Sequence, residues 1–261
     1  MSDHIHVSVA DGVQTIRIDR PAKKNALTNV MYAAIAGALE EAARNPEIAV
    51  TLLLGVPGAF SAGNDLSEFR DYDSGHTEGL GDDPSLRLLR LLATGDKPLV
   101  AAVDGLAVGI GTTMLLHFDL VYASPKARFK TPFLDLALVP EAASSLILPR
   151  RMGHVRAFEM LCLGDWLDAE RALSGGLINA VVPSETLEQK ARESALSLAR
   201  KPQEALALTR RLMRGDAADL LDRMKEENRL FDERLRSAEA KEAFAAFLEK
   251  RPPDFAKLRR R

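Results

Sequence analysis

The chain has 261 residues, 46% hydrophobic and 28% charged, enough to bury one sizeable core and carry an appendage. Its 35 Lys and Arg against 37 Asp and Glu leave a formal charge of −2, which excludes a global attraction to nucleic acid or to an anionic membrane. A single cysteine, Cys162, excludes an internal disulfide and a cysteine-based zinc site. No apolar run approaches the ~18 residues that span a bilayer, and the start MSDHIHVSV lacks signal or transit character, so the expectation is a cytoplasmic protein.

In chain order, residues 5–10 and 13–19 are short β-like runs around Asp11-Gly12, a pair suited to a type I′ hairpin. After the loop RPAKKNALT, Thr28 is placed to cap a helix running to Arg44, which Asn45-Pro46 ends. Residues 50–54 read as an apolar strand; Gly55 and Gly58 then lead to a small-residue corner, AFSAGNDL, that enters a helix near Asp65. Residues 71–83 are polar and glycine-rich, hence loop, and 84–94 form an amphipathic helix. The stretch LVAAVDGLAVGIGTTMLLHFD, 99–119, has the same logic as the first corner: an uncharged strand at 99–103, glycines at 105, 109 and 111, and a helix over 112–117. Further strands are predicted at 120–123, 127–130 and 177–182, with helices at 155–163 and 169–173. Everything from Ser184 reads as helix, with breaks near Gly215 and Ser237 in the tail 201–250; that tail is too elongated to make a good core alone and is expected to pack on a neighbour.

Two strand-to-helix corners built from small residues can aim backbone N–H groups at one oxygen, a place for a phosphate or a developing oxyanion. The alternative is tight packing alone. The five histidines, His4, His6, His76, His117 and His154, have no metal-ligand spacing; no metal is expected, and His117 is read as helix packing. Cys162, in the apolar run MLCLG, is likewise read as packing.

Taken together, AFSAGNDL, AVDGLAVGIGTTMLL, RPAKKNAL and FKTPFLDLALVPEAASSLILPRRMG resemble the enoyl-CoA hydratase/isomerase (crotonase) superfamily over nearly the whole chain. The resemblance implies an α/β spiral of repeated ββα units over residues 1–200, with a C-terminal helical region, 201–261, that mediates trimers or dimers of trimers. It implies an acyl-CoA ligand and no separate cofactor, CoA being part of the substrate. By motif register, the oxyanion-hole amides fall at Ala62 and Ile110. The positions of the two hydratase glutamates fall at Thr113 and Phe133, which cannot act as bases at neutral pH. Glu141, in PEAASS, matches the single catalytic glutamate of the peroxisomal Δ3,Δ2-enoyl-CoA isomerases. Its alternative role is a first-turn helix carboxylate that satisfies the dipole.

The same register assigns CoA or substrate contacts to Lys23, Lys24, Ala26, Ser61, Gly63, Asn64, Asp65, Leu66, Gly109 and Phe133, with Lys250 as a reach to a neighbour's ligand. The alternatives are solvated loop lysines for Lys23 and Lys24, and a helix cap for Asp65. The pocket walls are expected from residues 67–72, the loop after them, and Phe133, Leu134 and Leu138. The implied reaction is a 3-enoyl to 2-enoyl double-bond shift. The alternative is a hydratase or other crotonase-type reaction in which Glu141 or Asp135 directs water. Nucleic-acid binding by the basic helix 200–214 and the end 259–261 is opposed by the acidic residues between 216 and 233 and by the absence of interleaved aromatics.

Overall fold

The computed structural model describes residues 2–65 and 83–258. Strands β1 (Ile5–Ala10) and β2 (Val13–Ile18) pair antiparallel with Ala10 opposite Val13, so Asp11 and Gly12 alone turn the chain. Both have positive φ, 55° and 77°, as the type I′ turn requires. Helix α1 (Asn29–Arg44) follows, its Thr28 hydroxyl accepting the Met31 N–H as the expected cap.

From there the chain repeats one unit. β3 (Val50–Leu54) joins β2 in parallel, and β4 (Ala59–Ser61) leaves for a second sheet. Helix α2 (Pro84–Thr94) leads back to β5 (Leu99–Val103), after which β6 (Leu106–Val108) and the single-turn α3 (Ile110–Thr113) follow. β7 (Leu120–Ala123) and β8 (Arg128–Lys130) repeat the step. Each turn of this α/β spiral thus gives one strand to each sheet, in the orders β1-β2-β3-β5-β7-β10 and β4-β6-β8-β9, where β9 is Leu167–Asp168 and β10 is Ala180–Val181.

The short strands β4, β6 and β9 leave too few residues for alternation to show, so sequence periodicity misses them. The strand predicted at 177–182 contracts to β10, and the helix predicted at 112–117 begins at Ile110 and tightens to a 3₁₀ turn over Met114–His117. The helix predicted from near Asp65 and the polar loop up to residue 82 lie outside the described residues.

β3 and β5 are buried on both faces, which is why they are apolar throughout except at Thr51, whose hydroxyl donates to the Gln14 side chain. Leu53, Ala101 and Val103 face the main core, whereas Val50, Leu52 and Val100 pack beneath Leu187, Ala191 and Ala195 of α7 (Ser184–Ala199). The remaining helices are α4 (Ser144–Met152), α5 (His154–Phe158), α6 (Ala169–Ser174), α8 (Gln203–Arg214), α9 (Ala217–Leu235), α10 (Ala238–Leu248) and α11 (Phe255–Leu258). Breaks fall at Gly215 and Ser237, as the sequence predicts. Cys162 is a free, half-buried thiol in a π-helical turn, Glu159–Leu163.

Much of the tail folds back on its own chain. Met224 and Glu227 of α9 and Ala240, Ala243 and Ala246 of α10 are buried, and Arg210 of α8 donates from Nε to both Asp119 carboxylate oxygens at 2.8 Å. Asp119 in turn accepts the Leu99 N–H at 2.8 Å, so this pair fastens the helical tail to the edge of β5. Among the described residues, no helix is long and apolar enough to cross a membrane.

Candidate active site

A cavity of about 570 Å³ lies where both glycine corners, the 132–141 segment and the tail helices converge. The first corner is held by Asn25, fully buried, whose side-chain amide donates to the carbonyls of Ile18, Ala59 and Phe60. Ser61 Oγ donates to the Asn25 carbonyl at 2.9 Å and accepts the Gly63 N–H at 3.1 Å. Arg20 donates to the Ala26 carbonyl at 2.9 Å and to Asp65 at 2.7 Å. Asp65 is therefore part of an ion pair that ties the corner to the preceding loop.

These bonds decide which amides are available. The Ala62 N–H donates to the Lys24 carbonyl at 2.9 Å, so it is spent within the protein, contrary to its expected role as an oxyanion donor. Gly63 and Asp65 pair with Leu27 along a parallel bridge, and backbone alternation turns the Asn64 amide the other way. Among the described residues the Asn64 N–H has no acceptor. At the second corner Gly109, with φ 54°, turns the chain into α3, and the Thr112 and Thr113 amides both return to its carbonyl. Ile110 occupies the first helical position, where an N–H has no partner inside the helix. The two corners pack closely: a Cβ on Gly111 would come within 2.6 Å of the Ser61 carbonyl oxygen.

Glu141 lines the same cavity. It precedes α4 by three residues and is not in its first turn, because Ala142 and Ala143 are left-handed, with φ 61° and 54°. The dipole-satisfying alternative is thereby removed. Thr113 Oγ1 donates to Glu141 Oε1, so the residue standing at a hydratase glutamate position orients this carboxyl. Burial pushes the Glu141 pKa up to about 7 against the lowering effect of the Thr113 hydroxyl, with Glu227 and Asp83 adding repulsion. Buried His117 donates from Nε2 to the Ala142 carbonyl, 3.0 Å away, and burial lowers its pKa to about 4. A neutral ring with the proton on Nε2 satisfies that carbonyl.

The other acidic residues around the cavity are engaged. Asp135, on the exposed 3₁₀ turn Leu134–Leu136 and not on a strand with Phe133, pairs with Lys130 at 3.0 Å. Asp232 pairs through Oδ2 with Arg236 at 2.9 Å, its buried Oδ1 having no hydrogen-bond partner among the described residues, and Asp83 caps α2 by accepting the Ser85 N–H at 2.8 Å.

Of the sequence-predicted residues, the cavity gathers Ala62, Gly63, Asn64, Asp65, Gly109, Ile110, Phe133 and Glu141. Ser61 sits buried behind it, and Ala26 is half-buried and outside the lining. Lys23 and Lys24 are exposed and outside it as well, while Leu66 lies outside the described residues. Leu138 joins the wall, but Leu134 is turned to solvent. Sequence reasoning missed Tyr32 of α1, whose hydroxyl donates to the Asn64 side chain, and the apolar wall of Phe231, Leu235, Phe244 and Phe247 from α9 and α10. The helical periodicity of the tail was the available signal, but it does not say which chain the apolar face covers. Among the described residues, no group of three or more His, Cys, Asp or Glu is placed to hold a metal ion.

Two corner residues with amides free of protein acceptors among the described residues, Asn64 and Ile110, and the buried carboxyl of Glu141 line one cavity with apolar walls, an arrangement chemically suited to holding a developing oxyanion near a base. The family model for enoyl-CoA hydratase/isomerase matches residues 8–258, and the chain belongs to that family. It is 35% identical over 98% of its length to Escherichia coli 1,2-epoxyphenylacetyl-CoA isomerase, covering 99% of that protein. It is 36% identical over 87% of its length to Rattus norvegicus enoyl-CoA delta isomerase 2, of which it spans 58%. The crystal structure of an enoyl-CoA hydratase/isomerase from Pseudoalteromonas atlantica superposes with a TM-score of 0.91 at 40% identity, over 97% of this chain and all of that one. Relatives carry both names; a probable enoyl-CoA hydratase of Rhodobacter capsulatus is 35% identical over 98% of the chain and 99% of that protein.

Proposed function

We propose that this enzyme is an enoyl-CoA isomerase that moves a double bond from C3 to C2 of an acyl-CoA thioester with one glutamate as proton shuttle. The thioester carbonyl sits between the N–H groups of Asn64 and Ile110, with Asn64 taking the role that motif register gave to Ala62. Glu141, ionised, removes a proton from C2. The charge spreads over a dienolate whose oxygen the two amides hold, and the same carboxyl returns the proton to C4. No water is activated, and CoA enters only as part of the substrate, without a separate cofactor.

The observation that carries this reading is Glu141 itself. It is the carboxyl at the cavity whose acidity burial has moved to about 7, a range in which it can both accept and donate a proton. Each of the remaining carboxylates there has at least one oxygen held, by Arg20, Lys130, Arg236 or the α2 cap. With Thr113 on Oε1, one oxygen of Glu141 remains for the substrate.

Product analysis on a 3-enoyl-CoA and, separately, a 2-enoyl-CoA tests the proposal. The expected result is 2-enoyl product from the first substrate without 3-hydroxyacyl-CoA, and a loss of ~10²- to 10⁴-fold in kcat for Glu141→Gln. Accumulation of 3-hydroxyacyl-CoA from the 2-enoyl substrate would identify a hydratase and overturn the isomerase assignment. Exposed Lys23 and Lys24 remain candidate phosphate contacts for CoA, and assembly as a trimer or dimer of trimers remains the expectation for the tail.

A further inference from the structure

Thr113 holds the Glu141 carboxyl and Ser144 its carbonyl, while the residues that hold the turn after it come from two unrelated parts of the chain. Glu141 is followed by two consecutive left-handed alanines, a backbone conformation that costs an L-residue on the order of 1 kcal/mol each and persists only where surrounding contacts impose it. The Ala142 carbonyl is held by His117, from the turn after α3. The Ala143 N–H donates to Glu227 Oε2 at 2.6 Å, and Glu227 belongs to α9 in the helical tail, 84 residues further on. Glu227 Oε1 accepts both the Ser145 N–H at 3.0 Å and the Ser145 hydroxyl at 2.5 Å. Helix α4 has no side-chain cap of its own. A buried carboxylate from another element thus supplies the cap, and in doing so holds the peptide that follows Glu141.

We propose that Glu227 is the positioning residue of the active site: it holds the Ala142–Ala143 turn that aims Glu141 into the cavity. The proposal rests on Glu141 as the base. The groups facing Glu141 are Thr113 from α3, Asp83 at the start of α2 and Glu227 from α9. Arg223 of α9 lies on the far side of Glu227, donating to Ser145 Oγ at 3.3 Å. His117 lies behind the turn with Arg151 and Arg214. Of these charges, Glu227 is the one bonded to the backbone that carries Glu141. Burial is the main cause that raises the Glu141 pKa and it raises that of Glu227 as well, offset there by the Ser145 and Ala143 hydrogen bonds and Arg223; when ionised, Glu227 adds repulsion that favours protonated Glu141, so removing it makes Glu141 more acidic.

The test compares the full-length wild type with Glu227→Gln, Glu227→Ala and Glu141→Gln in steady-state turnover of a 3-enoyl-CoA across pH 5–9, with thermal unfolding measured in parallel. Glu227→Gln keeps the shape and an acceptor, so it carries the test even where Glu227→Ala fails to fold. The expected result for Glu227→Gln is an acid limb of kcat/KM displaced downward by roughly half a pH unit or more, with kcat lowered ~3- to 30-fold and KM within about twofold. Glu227→Ala, losing the anchor as well, falls further in kcat. A Glu227→Gln variant with the wild-type pH profile and kcat, altered only in unfolding temperature, overturns the proposal while an inactive Glu141→Gln leaves the base intact. An active Glu141→Gln overturns the base, and this inference with it.

Discussion

At Glu141 the acidity that suits proton transfer is also a stability defect. Its folded-state pKa of about 7 exceeds the unfolded carboxyl value of 4.5, so the folded protein holds this proton more tightly than the unfolded chain does. That contribution is fully present below about pH 4.5 and is lost as pH rises through about 7. Two outcomes follow. The acid limb of kcat/KM should titrate near pH 7, since the base works ionised. Glu141→Gln, which needs no desolvated charge but can still accept from Thr113, should raise the unfolding free energy at pH 8 by about 1–3 kcal/mol and leave it nearly unchanged at pH 4. Equal stability of the two proteins at pH 8, in urea melts at both pH values, would show that burial does not penalise the ionised group. His117 works in the opposite sense: depressed to about 4, it binds a proton on unfolding, so its stabilising contribution is lost as pH falls from 6.5 towards 4.

The elements around the amides tolerate little displacement, because the two corners come from adjacent turns of the spiral and touch through backbone. Gly111 stands where a Cβ would meet the Ser61 carbonyl oxygen at 2.6 Å and the Ser61 Cβ at 2.9 Å, neither of which is the end of a flexible side chain. Gly111→Ala should therefore push α3 away from β4, separate the Asn64 and Ile110 amides and lower kcat ~10- to 100-fold, with the larger effect on kcat than on KM. Steady-state kinetics on the purified variant checks this; unaltered kcat would mean that the corners can part without disturbing the oxyanion site. Such glycines are legible in sequence as a pattern between strand and helix. What periodicity cannot show is the intervening strand β6, three residues long, which links this corner to the second sheet.

For the molecule as a whole, the helical tail and the spiral core are joined by largely buried charge. Arg210, 7% exposed, spans from α8 to Asp119 and to the Gly95 carbonyl at the end of α2, while Arg214 reaches the Leu92, Ala93 and His117 carbonyls. Asp119→Asn leaves the two arginines without their counter-charge and should cost about 2–4 kcal/mol in denaturant unfolding, since one half of a largely buried pair is harder to lose than both. The tail also supplies an apolar wall of the cavity. Phe231 and Phe244 line it from α9 and α10, so Phe231→Ala should raise KM for long-chain substrates more than for short ones, measured over an acyl series. An unchanged chain-length profile would argue against the tail as that wall.

By itself the sequence determined the hairpin, the cap at Thr28, the apolar strands and the glycine corners, because each is written in local spacing. Glu141 and Ile110 stand out only through the resemblance of the segments around PEAASS and GIG to the family's motifs. Tertiary structure alone decided the rest. Which amide of AFSAGNDL is available depends on a carbonyl from Lys24, a contact across 38 residues that no local pattern encodes. Whether Glu141 begins a helix or precedes one depends on two left-handed alanines, imposed by His117 on one side and Glu227 on the other. Its acidity depends on how completely those distant elements exclude water, because desolvation is a property of the assembled surroundings and not of the residue.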